Sequence, residues 1–216
     1  MIILLTGMHA RAQERTHRGL YLSMQFGPAF GSVNGFNPAG ERLTISGTGF
    51  GFDLLLGGTL SENLVLHGTL SSKLKSAPTI NGLKCSECIA FDETFIGAGL
   101  TYYLKHNFLI SGSIGSGSFT LSNDFSNINY AFWDSSLPEY CTEPYTTFTT
   151  REGFSYQLKA GKEWWVDARW AMGILFEYSS TRVSEPFKDK HTSPWTSNRF
   201  NVRISITKHG KKNRDR

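Results

Sequence analysis

The sequence predicts an all-β protein, an eight-stranded antiparallel up-and-down transmembrane β-barrel with short turns at one end and long loops at the other. Three observations predict this fold class. Eight segments alternate between large apolar residues and small or polar residues with a period of two. The connections between these segments are alternately short and long. One face of the segments is rich in glycine, which suits the crowded interior of a narrow barrel better than a surface in water.

Each predicted strand keeps its large apolar residues on one parity, and no helical period competes with this pattern. In the second strand, Phe52 and Leu54 lie on one face, and Gly51 and Asp53 lie on the other. The predicted strands are 20–27, 47–56, 64–71, 96–104, 108–117, 154–161, 170–179 and 200–207.

The connections predict which end of the barrel faces which compartment. Short turns near Gly58–Asn63, Lys105–Asn107 and Glu163–Asp167 alternate with long loops near 32–42, 76–92, 122–152 and 180–197. Outer-membrane barrels have short periplasmic turns and long extracellular loops. We therefore expect the long loops to be extracellular.

The barrel should be apolar outside and polar inside. About 30 large apolar side chains share one face, and at roughly 1.5–3 kcal/mol each they could not be left in water. A bilayer supplies the apolar solvent, and closure of the sheet satisfies every backbone group within it. The charged fraction of 19% is below the roughly 25% of soluble domains.

A few charged residues fall on or near the small-residue face and predict an ion-paired network that fills the lumen, because buried charge must be paired. A turn centred at Leu60 would place Asp53 directly opposite His67, predicting a hydrogen-bonded pair. The predicted network comprises Asp53, His67, Lys159, Glu163, Arg169, Glu177 and Arg203. A catalytic dyad at Asp53 and His67 is disfavoured, since a packed lumen admits no substrate.

Aromatic residues near the short turns predict a girdle at the membrane interface, where tyrosine and tryptophan are enriched. The alternative is that they are ordinary core aromatics. The predicted girdle residues are Tyr102, Tyr103, Trp164, Trp165 and Trp170.

The two ends of the chain differ from the barrel in composition. Met1–Leu5 is apolar and Ala10-Arg11-Ala12 fits the small-x-small pattern of a cleavage site, so residues 1–12 are interpreted as a truncated signal peptide. The basic n-region is missing, and a polar arm is the alternative. The barrel is expected over 13–208, followed by a basic tail at 209–216. Much of the net charge of +4 lies in the last nine residues, so no nucleic-acid partner is predicted.

The three cysteines, Cys85, Cys88 and Cys141, all fall in predicted extracellular loops. An oxidising rim favours a disulfide over free thiols. Pairing of Cys141 with Cys85 or Cys88 would join two loops, whereas a bond within the C-x-x-C pair would be strained. A redox motif lacks its usual context, and a metal site with His191 lacks supporting ligand spacing.

Three runs carry a resemblance to a known family: they read FGFDLLLGGTLSENLVLHG, IGAGLTYYL and LKAGKEWWVDARWAMGI. They resemble the small outer-membrane β-barrel proteins grouped with the OmpA and OmpX transmembrane domains, and the resemblance covers residues 18–208. It implies location in the outer membrane of a Gram-negative bacterium. The chain departs from that family at its end, which reads TKHGKKNRDR where an aromatic residue is usual.

The function predicted is that of a non-enzymatic barrel with a filled interior, structural or interacting with other molecules through its extracellular loops. The expected partners are outer-membrane lipid, lipopolysaccharide, and a protein or glycan at the loops; the barrel is expected to be a monomer. No catalytic residue, cofactor or metal is predicted. The loop aromatics are Trp133, Tyr140, Tyr145, Phe148 and Trp195. The alternatives are a lipid A-modifying enzyme using His191 and hydroxyl groups of the last loop, and a narrow channel.

Overall fold

The computed structural model describes residues 19–36, 42–84, 89–123, 147–186 and 192–210. Twelve strands lie within these ranges. They are β1 (Leu20–Phe36), β2 (Arg42–Ser46), β3 (Gly49–Ser61), β4 (Leu64–Ser76), β5 (Thr79–Ile80), β6 (Leu83–Lys84), β7 (Ile89–Tyr103), β8 (Phe108–Asn123), β9 (Thr147–Thr149), β10 (Gly153–Trp165), β11 (Trp170–Pro186) and β12 (Thr192–His209). A single 3-10 turn at Lys105–Asn107 joins β7 to β8. Within the described ranges, no helix is long and apolar enough to cross a membrane.

Eight long strands close into a barrel, which confirms the predicted fold class. Around the barrel the order is β1, β3, β4, β7, β8, β10, β11 and β12, with every neighbouring pair antiparallel. The last strand pairs with the first over a long register, for example Met24 with Ile206 and Phe26 with Ile204. Closure satisfies the backbone groups of both edge strands, as a hydrocarbon surrounding requires.

The strands extend further at the long-loop end than the alternating pattern predicts. β1 continues to Phe36, β11 continues to Pro186, and β12 begins at Thr192. Four short strands add to this end: β2 pairs with β1, β5 with β2, β6 with β5, and β9 with β8. The strands keep pairing through their backbones at this end, although their outer face is no longer apolar. The alternation of apolar and polar residues in the sequence therefore stops before the paired strands do.

A belt of exposed apolar side chains surrounds the barrel. Ile114, Phe176 and Phe200 are 64%, 65% and 68% exposed, and each of the eight long strands contributes further leucine, isoleucine, methionine or aromatic residues. Monomeric soluble proteins rarely expose contiguous apolar patches larger than a few hundred Å². The belt is therefore the surface that contacts lipid.

The interior consists of stacked layers, which the sequence did not predict. A lower apolar layer lies towards the short turns and contains Tyr21, Leu55, Val65, Tyr103, Leu109 and Leu175. An upper apolar layer lies towards the long loops and contains Val33, Leu43, Ile45, Ile80, Phe91, Phe119, Leu121, Val183 and Trp195. Between them, buried polar and charged side chains fill the lumen. The expectation that large apolar residues lie outside the barrel thus holds for the belt but not for the two ends of the lumen.

Candidate functional site: the charged layer of the barrel interior

Four ionised side chains from four strands meet near the middle of the barrel. Asp53 lies on β3, Lys159 on β10, Glu177 on β11 and Arg203 on β12, and each occupies an inward position of its strand. The ammonium of Lys159 lies 2.9 Å from Asp53 Oδ2, and Arg203 Nε lies 3.0 Å from Glu177 Oε2 and 3.3 Å from Asp53 Oδ2. Two cations and two carboxylates thus form a central cluster, to which Lys73 adds a third cation.

Further polar groups complete this cluster. Lys73 Nζ lies 3.1 Å from Glu177 Oε1, to which Asn201 Nδ2 donates a hydrogen bond of 2.9 Å. Lys159 Nζ also donates to Gln25 Oε1 at 2.7 Å. Charge-assisted hydrogen bonds of this kind are about twice as strong as neutral ones, and a low local dielectric strengthens them further.

A second ion pair lies above the central cluster, towards the long loops. Arg199 Nε is 2.6 Å from Glu93 Oε2, while the hydroxyls of Thr181 and Ser197 donate to Glu93 Oε1 at 2.7 and 2.9 Å. Lys75 Nζ donates to a backbone carbonyl of β1. The central cluster, this upper pair and Lys75 together form the charged layer: Asp53, Lys73, Lys75, Glu93, Lys159, Glu177, Arg199 and Arg203.

Glu163 lies apart from the charged layer, near the short-turn end of the lumen. Its carboxylate accepts hydrogen bonds from Tyr103 Oη at 2.9 Å, Ser205 Oγ at 3.0 Å and Thr207 Oγ1 at 2.6 Å. Three hydroxyl donors therefore satisfy this buried carboxylate.

The predicted pair of Asp53 and His67 is wrong. In the β3–β4 ladder, Asp53 is opposite Ser71 and His67 is opposite Gly57. The hairpin turns at Glu62 and Asn63, with a register shift between Thr59 and Ser61, so its centre lies two residues beyond the predicted one.

His67 instead bonds to hydroxyl groups. Its Nδ1 is 3.0 Å from Thr69 Oγ1, and its Nε2 is 3.0 Å from Thr101 Oγ1. Thr101 also donates to Ser111 Oγ at 2.8 Å. His67 is therefore buried in a neutral hydroxyl network on β4, β7 and β8.

Arg169 requires a second correction, because it is exposed in the turn between β10 and β11 and does not enter the lumen. Strand β11 begins at Trp170. Side chains alternate between the two faces only within the strand, so the position of Arg169 in the preceding turn does not make it point inward.

The predicted aromatic girdle divides between the two faces of the barrel. Tyr102, Trp164 and Trp170 point outward and are 47%, 49% and 38% exposed. Tyr103 belongs to the lower apolar layer, and the ring of Trp165 lies 4.9 Å from that of His209. Consecutive residues of a strand face opposite sides, so only one member of each aromatic pair can contact lipid.

Half of the charged layer was not predicted from the sequence: Lys73, Lys75, Glu93 and Arg199. All four continue the inward parity of predicted strands, so extending the period-two pattern past its apolar residues would have identified them. Trp195 was predicted as a loop aromatic, yet it lies in β12 and packs into the upper apolar layer, 5.9 Å from Phe119.

Several predictions concern residues outside the described ranges, and they stay predictions. These are the signal peptide at 1–12, Cys85, Cys88, Cys141, His191, Trp133, Tyr140, Tyr145 and the tail residues 211–216. Phe148 falls in β9. Strand β12 runs through His209, so the barrel includes one residue that was assigned to the tail.

Three-dimensional comparison identifies small outer-membrane β-barrels as similar structures. The chain is similar to Neisserial surface protein A, with a TM-score of 0.52 and 10% identity, over 89% of this chain and 97% of that one. It is also similar to OprG from Pseudomonas aeruginosa (TM-score 0.49, 10% identity, 91% and 99% covered) and to Ail of Yersinia pestis (0.44, 13%, 88% and 99%). No family model and no curated protein matches the sequence. The first of these likenesses establishes the fold, which is the one that the resemblance in the sequence predicted.

Proposed function

We propose that this outer-membrane β-barrel is non-enzymatic and acts at the cell surface through its extracellular end. The role is structural or adhesive, with lipopolysaccharide and an extracellular protein or glycan as the molecules that its loops meet. Neisserial surface protein A, whose fold is similar, is a surface protein by its name.

The filled interior is the observation that carries this proposal. Every residue of the charged layer is at most 3% exposed, and apolar layers lie above and below it. Side chains thus fill the lumen at every level that the structure describes, which supports neither transport through the barrel nor chemistry within it. An eight-stranded barrel has just enough interior volume for such filling.

The inward histidine also supports a non-enzymatic role. His67 has both ring nitrogens bonded to threonine hydroxyls and lies in the membrane-spanning part of β4. A general base must reach the proton that it abstracts from a substrate. A buried ring with both nitrogens occupied has no route to a lipid substrate.

A deletion strain complemented with two versions of the chain tests the proposal. One version is the full chain, and the other has residues 124–146 replaced by a glycine–serine linker. The lipid A composition is measured by mass spectrometry, and binding of whole cells is measured on an array of extracellular proteins and on a glycan array. We expect identical lipid A in all strains and surface binding that only the full chain restores.

Each contrary result rejects a different part of the proposal. A change in lipid A that the full chain reverses would establish the enzyme instead. Unchanged lipid A together with equal binding by both versions would reject the role of that loop.

A further inference from the structure

The short-turn edge of the barrel carries two lysines on its lipid-facing surface. Lys162 lies near the end of β10 and Lys208 near the end of β12, both on outward positions and half-buried. Lysine at such a position is costly in hydrocarbon and falls to a small cost only near the interface. Both residues therefore mark the level of the lipid headgroups.

Each lysine is held against outward aromatic rings. Lys162 Nζ lies 4.8 Å from the centre of the Phe108 ring and 5.7 Å from that of Trp164, and Lys208 Nζ lies 5.5 Å from that of Trp170. Lys162 is also the cross-strand partner of Phe108, and Lys208 is that of Trp170. Cation–π contact within about 6 Å fixes an ammonium in place while leaving N–H donors directed away from the ring.

The charge at this edge is positive. The described residues there include four cations, Lys105, Lys162, Arg169 and Lys208, against two exposed carboxylates, Glu62 and Asp167, and the buried carboxylate of Glu163. Basic clusters next to a membrane attract anionic lipids.

We propose that each of Lys162 and Lys208, held by its own aromatic neighbours, forms a binding site for the headgroup of an anionic phospholipid in the periplasmic leaflet. The ammonium groups donate to the headgroup phosphate, and the indole rings of Trp164 and Trp170 pack on the glycerol and upper acyl region. A zwitterionic lipid offers the same phosphate but carries its own compensating cation, so the site prefers a lipid with net negative charge. This site lies at the opposite end of the barrel from the surface role proposed above and does not depend on it.

Fluorescence quenching tests the site directly. The full chain, in a Trp133→Phe background that leaves Trp164 and Trp170 as the outward tryptophans of the barrel, is refolded into phosphatidylcholine vesicles. Bromine-labelled phosphatidylglycerol or bromine-labelled phosphatidylcholine is included at equal mole fraction. We expect the anionic lipid to associate about fivefold more strongly and this preference to weaken with added salt.

Three variants separate the site from general charge effects. Lys162→Gln with Lys208→Gln should remove the preference, whereas Lys162→Arg with Lys208→Arg should keep it, because arginine also stacks on aromatic rings. Arg42→Gln with Lys84→Gln removes the same charge from the opposite rim and should leave it unchanged. A gel shift between unheated and boiled samples verifies that every variant is folded.

Two outcomes would overturn the proposal. One is equal quenching by both labelled lipids in the wild type, or a preference that survives in the double glutamine variant. The other is binding to purified peptidoglycan that depends on Lys162 and Lys208 without any lipid preference, which would assign the lysines to an acidic peptide. Either result leaves the loop-dependent surface role untouched.

Discussion

Single buried charges determine how firmly the lumen is held together, and Glu177 makes more of these contacts than its neighbours. It lies within 3.1 Å of Lys73 and 3.0 Å of Arg203 and accepts from Asn201. Breaking a buried pair from one side leaves uncompensated charge at a cost of about 3–5 kcal/mol. We expect Glu177→Gln to lower the free energy of unfolding by that amount, as measured by urea titration in vesicles.

Glu62→Gln provides the matched control, since the same chemical change is made in an exposed turn. It should change the free energy of unfolding by no more than about 0.5 kcal/mol. Similar values for the two variants would mean that the charged layer does not stabilise the barrel.

The corrected partners of Asp53 give a second prediction at the residue scale. A double-mutant cycle between Asp53→Asn and Lys159→Met should show a coupling of about 1 kcal/mol or more, because their charged atoms are 2.9 Å apart. The cycle between Asp53→Asn and His67→Ala should show coupling near zero, since each residue bonds to other partners. Strong coupling in the second cycle would mean that Asp53 and His67 interact with each other, as the sequence predicted.

These two residues also show what sequence can and cannot predict at this scale. Parity along a strand placed both Asp53 and His67 inside correctly, because side chains alternate strictly between faces. Their pairing depended on the register, and register depends on the turn. Moving the centre of the β3–β4 turn by two residues, to Glu62, keeps each side chain on its face but changes the residue opposite it on the neighbouring strand.

At the scale of the strand, two glycines of β8 occupy opposite faces and test which of these faces points into the lumen. A Cβ added to Gly115 would lie 2.1 Å from the carbonyl oxygen of Ile96, whereas one added to Gly112 would lie 3.6 Å from Leu158 Cδ2. Gly115→Ala should destabilise the barrel by about 1–3 kcal/mol through overpacking. Gly112→Ala should be neutral or stabilise it by up to about 1 kcal/mol.

Thermal unfolding in matched detergent micelles measures both variants under the same conditions. If Gly112→Ala were the more harmful of the two, the faces of β8 would be assigned the wrong way round. The two substitutions add the same atoms to the same strand, so local propensity cannot account for the difference.

The ends of the strands were the least predictable elements. Where lipid surrounds a strand, apolar and small residues must alternate, and the sequence reveals the strand directly. Beyond the membrane, both faces tolerate polar residues, so β5, β6 and β9 fell within predicted loops and β2 was not predicted as a strand. Trp195 was assigned to a loop for the same reason.

In the whole molecule, the two faces of one sheet have opposite surroundings. Outward residues face hydrocarbon, and inward residues form apolar, charged and apolar layers in succession along the barrel. The belt and the closed topology could be predicted because lipid imposes them on every strand. The layering could not, because it arises from packing among strands that are distant in sequence, such as Asp53 on β3 and Lys159 on β10.

The layered interior predicts that the barrel does not conduct ions, even when bulky side chains are removed from one layer. The wild type should give no stable current of porin size in planar bilayers, since side chains fill the described lumen from Tyr21 to Trp195. Tyr21→Ala with Tyr103→Ala removes two rings from the lower apolar layer but leaves the charged layer and the upper layer in place, so it should also remain closed. Reproducible large conductance steps from the pure wild-type protein would overturn the filled interior. Steps from the double variant alone would mean that the lower layer, rather than the ion-paired layer above it, closes the barrel.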